Sequence, residues 1–96
     1  MKKLLNAFSL QMLEEFPTSV KFEEVKESDL DLKRLDSAIG HADTARVLGV
    51  DFHRVNVKLK AGDVFIVAQL QGGRLPEGST TLPEGFTFKF IKGTVI

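Results

Sequence analysis

The chain has 96 residues, 43% of them hydrophobic and 27% charged, with 13 Lys plus Arg against 13 Asp plus Glu. That length argues for one domain, residues 1–96, burying roughly 60–65% of the surface its unfolded chain exposes, so that self-association would help it. Zero net charge speaks against long nucleic acid as a partner, which calls for a strongly basic surface, but leaves room for a small ligand carrying a few phosphates.

Residues 2–5 read as a first strand. Their apolar run is too short for a signal peptide or a membrane span, so the expected setting is the cytoplasm, with no membrane partner. Asn6-Ala7-Phe8-Ser9 turns into a predicted helix with Ser9 as its N-cap. Leu10, Leu13 and Phe16 recur three apart on that helix, and Pro17 stops it at about Phe16. Val20–Val25 reads as a second strand, and the charged residues 26–36 as a solvated loop or short helical turn. Ser37 to Gly49 is predicted helical, with Ala38, Ile39, Ala42, Ala45, Val47 and Leu48 on its apolar side and Gly49 as a left-handed stop.

Val55, Val57 and Leu59 alternate with Asn56, Lys58 and Lys60, the pattern of a half-buried strand. Ala61-Gly62-Asp63 is a hairpin-like turn into Val64–Leu70, whose nearly continuous apolar run predicts a central strand covered on both faces. Residues 71–85, punctuated by Gly72, Gly73, Pro76, Gly78, Pro83 and Gly85, form a long loop, and such loops are usually functional or mobile. Phe86, Phe88 and Phe90 alternate along a closing strand. The order β-α-β-α-β-β-β predicts an α/β domain with a mixed sheet of about five strands flanked by helices.

The absence of Cys excludes disulfides, thiolate metal sites and cysteine nucleophiles. Two His with no ligand spacing around them give no reason to expect a metal or other cofactor. His41 follows Ser37-Ala38-Ile39-Gly40 near the predicted helix start, where free N–H groups attract phosphate. Gly40 would let a ligand approach the backbone, and histidine transfers protons near neutral pH. Position alone favours the plainer reading, a histidine that merely caps the helix or packs on the sheet. Arg74 and Glu77 lie three apart in the glycine-rich loop. Arginine there can grip a phosphate and the carboxylate can accept a proton or orient a hydroxyl, or both can be idle surface charges. His53-Arg54 reads either as a phosphate-reaching pair or as plain surface. Phe86, Phe88 and Phe90 read as core rather than as a base-stacking platform. No Gly-Lys-Ser/Thr follows the loop glycines, which excludes a P-loop.

Six strings occur in order: Asn6-Ala7-Phe8-Ser9, Glu15-Phe16-Pro17-Thr18, Ser37-Ala38-Ile39-Gly40-His41 with Thr44, Arg54-Val55, Gly62-Asp63, and Arg74-Leu75-Pro76-Glu77-Gly78. Together they resemble the small viral anti-CRISPR ring nucleases. The resemblance implies metal-independent cleavage of cyclic tetra-adenylate, the messenger of type III CRISPR defence, by a homodimer holding the ring across its two-fold axis. A ribose 2′-hydroxyl would attack the neighbouring phosphate, yielding linear di-adenylate with a 2′,3′-cyclic phosphate. By the same resemblance His41 is the general acid and Glu77 the loop carboxylate of the catalytic pair. Asn6, Ser9, Gly40, Arg54, Gln69 and Arg74 then match ligand-contacting positions. The chain departs from the family pattern at Pro76, where an acidic residue is usual, at His53, where asparagine is common, and in the short 79–85 segment. A non-catalytic module that sequesters a cyclic nucleotide or binds a protein is the alternative from another class.

Overall fold

The computed structural model describes residues 2–15 and 19–96. Five strands form one mixed sheet: β1 (Lys3–Leu5), β2 (Val20–Val25), β3 (Asp36–Ala38), β4 (Val64–Gln71) and β5 (Thr87–Val95), in the spatial order β2-β5-β4-β1-β3. β4, β1 and β3 run parallel, whereas β2 and β4 pair antiparallel with β5. Among the described residues a single α-helix, α1 (Ala42–Leu48), joins the parallel half, so the α/β class and the five-stranded mixed sheet stand as expected while helices are few.

β1 organises both layers. Leu5 stands in register with Ala38 on one side and Val67 on the other, and these three share one face. Leu4 pairs with Ile66 and points to the opposite face with Ile39, Ala45, Ala68 and Phe90. Leu4 and Leu5 are at most 1% exposed, and burying each contributes about 1.5–3 kcal/mol. The first face is closed by Leu13, Val57 and Leu59, the second by α1 and by Leu30, Leu32 and Leu35.

Three expected elements differ. The segment after Ser9 forms a single 3₁₀ turn, Leu10–Met12, and Ser9 makes no side-chain cap bond. Threefold spacing is also the 3₁₀ period, and here Leu10 is 59% exposed while Leu13 turns inward. Phe16 and Pro17, the predicted helix end, lie outside the described residues, as does Thr18. Ser37 and Ala38 belong to β3 rather than to a helix, because their backbone is taken up by parallel pairing with Leu4 and Leu5. The helix starts only once the chain has passed the end of β1, and Gly49 closes it in the expected left-handed conformation, φ 74°. Val55–Leu59 is not a strand. Val57 and Leu59 point inward as the alternation implies, but Val55 is 42% exposed and Leu59 exchanges hydrogen bonds with the 12–14 segment. The edges of the sheet are β2 and β3, and this stretch pairs with neither: Leu59 forms only an isolated parallel bridge to Leu13.

Gly93 stands in register with Phe22 on one side and Phe65 on the other. A Cβ at position 93 would lie 2.2 Å from Cζ of Phe65, whose ring is fully buried and stacked on Phe8 at 5.2 Å. Overpacking of this kind costs about 1–3 kcal/mol. Gly93→Ala is therefore expected to lower the urea midpoint accordingly, and an unchanged midpoint would show that Phe65 can shift.

Lys3 and Asp36 are register partners, and the Lys3 ammonium donates to the Asp36 carboxylate. This hydrogen bond holds the Asp36 pKa below its ordinary 3.8, against the opposing effect of burial and with help from the Lys3 and His53 charges. A lowered folded-state value means stability that is present above pH 3.8 and fades as pH falls through the folded pKa. The stability difference between the natural chain and Asp36→Asn should shrink below about pH 4, measured by denaturant melts across pH. Both side chains are more than a third exposed, so the effect is small.

Candidate active site

Because β1, β3 and β4 are parallel, their carboxyl ends meet at one edge of the sheet, where open α/β sheets place their ligands. A cleft of about 630 Å³ lies there, within the usual range for a small-molecule site. Its floor is Ala68 and Leu70 of β4. Asn6 enters from the end of β1, His41 and Thr44 from the start of α1, and Arg74 and Glu77 from the loop after β4.

Each side chain has a local reason for its place. The Gly40 N–H donates to Asn6 Oδ1 at 3.1 Å, extending the β1–β3 ladder by one side-chain bond. His41 is the N-cap of α1: its Nδ1 accepts from the Thr44 N–H at 3.3 Å and lies 3.2 Å from Thr44 Oγ1. A backbone N–H can only donate, so the neutral ring carries its proton on Nε2. Nε2 makes no hydrogen bond among the described residues. The Thr44 hydroxyl can donate to a bare Nδ1 or accept from a protonated one, so it suits either state of the ring. The expected attraction of phosphate to a helix start is modified here, since the Thr44 N–H is already used by His41 itself.

Gly40 does not adopt a positive φ, and a Cβ there would meet Arg54 at 3.7 Å, an ordinary contact. The free fold thus does not demand glycine at 40, and Gly40 is not among the residues that line the cleft. Arg54 flanks the cleft rather than lining it, and its Nε donates to the Gly40 carbonyl at 3.2 Å.

The cleft therefore unites Asn6, His41, Arg74 and Glu77 of the sequence-derived set. Ser9 is exposed and outside it. Gln69 alternates with Ala68 and Leu70 along β4 and so projects to the other face of the sheet. His53 is exposed, and its N–H donates to the Ile39 carbonyl at 2.9 Å. Phe90 is buried in the core and Phe88 packs beside it, in keeping with the core reading for these two, whereas Phe86 is half-buried beside Gly72 and Gly73 and belongs to neither core cluster. Sequence reasoning passed over Asp43 and Arg46, whose i, i+3 spacing on a helix was the available signal. Among the described residues no group of three His, Asp or Glu converges as a protein metal site requires. Nor is any described helix long and apolar enough to cross a membrane.

The STIV B116-like family model matches residues 2–87. Among solved structures the chain is similar to B116 of Sulfolobus turreted icosahedral virus, with 30% sequence identity and a TM-score of 0.77 over 98% of this chain and 99% of that one. Comparison with curated protein sequences gives no match.

The capping geometry is testable directly. Nitrogen-15 spectra of the neutral His41 ring should show the Nε2-protonated tautomer, and Thr44→Ser should preserve it. A ring protonated on Nδ1 would overturn the cap.

Proposed function

The chain belongs to the STIV B116-like family, and on that premise we propose that it is a metal-independent ring nuclease that cleaves cyclic tetra-adenylate to linear di-adenylate and so switches off type III CRISPR signalling. The observation that carries the reading is the cleft that unites His41, Arg74, Glu77 and Asn6, residues scattered along the chain and belonging to the strings that resemble the ring nucleases. Similarity to a viral protein fits an origin in a virus and a place of action in the cytoplasm of an infected cell.

The chemistry asks little of the protein beyond geometry and one proton. The ribose 2′-hydroxyl releases its proton to water as its oxygen attacks the adjacent phosphorus in line, the bond to the 5′-oxygen breaks, and a 2′,3′-cyclic phosphate remains. Protonated His41 gives its Nε2 proton to the departing 5′-oxygen while Thr44 holds the Nδ1 side. Arg74 engages the phosphate as a bidentate donor. Glu77 on the same loop organises the ring and its hydroxyls. One cleft of about 630 Å³ is the size of a drug-sized ligand site, smaller than a ring of four nucleotides. Two copies facing across a two-fold axis would offer two such clefts to opposite phosphates, because an isologous interface repeats every group twice.

Purified protein in EDTA is expected to convert cyclic tetra-adenylate to di-adenylate ending in a 2′,3′-cyclic phosphate. His41→Ala should slow this by about 10²–10⁴, the usual worth of a positioned acid, with ring binding retained. Ring that stays intact but bound would favour the sequestering module instead, and equal rates for both proteins would remove His41 from its role.

A further inference from the structure

Asp43 lines the cleft with a carboxylate that is only 16% exposed, beside a site read as holding a polyanion. An unneutralised acid there would repel phosphate. It is instead engaged through one oxygen: Asp43 Oδ1 accepts from Arg46 Nη1 at 2.8 Å and from the Gly78 N–H at 3.2 Å. Arg46 Nη1 in turn donates to the Ser79 carbonyl at 3.3 Å. One ion pair on α1 thus grips two successive residues of the loop that bears Arg74 and Glu77.

The loop is shaped to be gripped. Ser79 folds back on Pro76, its N–H and its hydroxyl both donating to the Pro76 carbonyl at 3.1 and 2.6 Å. Gly78 takes a left-handed φ of 81° in that turn, and its N–H donates to Asp43. Leu75, buried at 9% exposure, pins the other side of the turn. Glu77 therefore sits between a buried anchor and a clasped amide.

We infer that Asp43 is a positioning residue: through Gly78 and Arg46 it clasps the 74–79 loop against α1, so that Arg74 and Glu77 stand opposite His41 before any ligand arrives. The catalytic half of this inference rests on the ring-nuclease reading; the clasp itself does not. A chain whose loop is competent only part of the time shows an apparent affinity reduced by that fraction. Saturating ring would itself order the loop, so the loss falls on KM and spares kcat. Partial unfolding would do the reverse, lowering the active fraction and kcat while leaving KM alone.

The test compares the natural chain with Asp43→Ala, which removes the acceptor, and Asp43→Asn, which keeps an acceptor oxygen. Solvent exchange of the Gly78 amide is followed by NMR without ligand, and kcat and KM are measured on cyclic tetra-adenylate. Asp43→Ala is expected to speed Gly78 exchange and to raise KM, each about tenfold, with kcat held within about threefold, whereas Asp43→Asn stays near the natural chain on both. Unchanged exchange in Asp43→Ala overturns the clasp. Faster exchange with unchanged KM, or a fall in kcat alone, overturns the positioning role. A natural chain that neither cuts nor binds the ring sinks the ring-nuclease reading and the catalytic half with it, while the exchange comparison still decides the clasp.

Discussion

The whole domain turns on the pairing of a three-residue strand. Lys3-Leu4-Leu5 is hydrogen-bonded in parallel to β3 on one side and β4 on the other, and its two leucines feed opposite hydrophobic layers. Satisfying backbone groups on both edges of so short a strand leaves no freedom in register. A slip of one residue would send Leu4 and Leu5 to the wrong faces. The ion pair between Lys3 and Asp36 marks the first rung of this ladder, and the Asn6 side chain adds a rung past its end.

The same pairing sets the site. Three parallel strands end at one edge, and the residues beyond their ends (Asn6, Gly40-His41 and the loop after Gln71) are delivered to a common cleft. The polar groups there are held rather than left loose. His41 completes the helix cap, the Asp43 charge is answered by Arg46 and a backbone amide, and Arg54 braces the Gly40 carbonyl. Among the described cleft residues, Nε2 of His41 and the exposed side chains of Arg74 and Glu77 stay outside these bonds.

Local patterns revealed the burial of individual residues better than the pairing of segments. The unbroken apolar run of β4 implied a central strand, and positions 65–68 are indeed buried on both faces. Inward-facing Val57 and Leu59 were equally legible, yet their segment is no strand, because alternation reports which side chains are buried and is silent on which backbone they pair with. β3 failed the other way. Asp36-Ser37-Ala38 has neither alternation nor β-branched residues, and only the presence of β1 makes it a strand.

The sequence alone determined what depends on single residues and their neighbours: the left-handed stop at Gly49 and the turn around Gly62. Local sterics suffice for these. Tertiary structure decided what depends on distant partners: that His41 caps α1 directly after a strand, that Gln69 and Ser9 stand apart from the cleft, and that Asp43 reaches across to Gly78. Hydrogen bonding between segments 35 residues apart leaves no periodic trace in the chain, since it is the parallel ladder, not any local propensity, that brings those segments to the same edge.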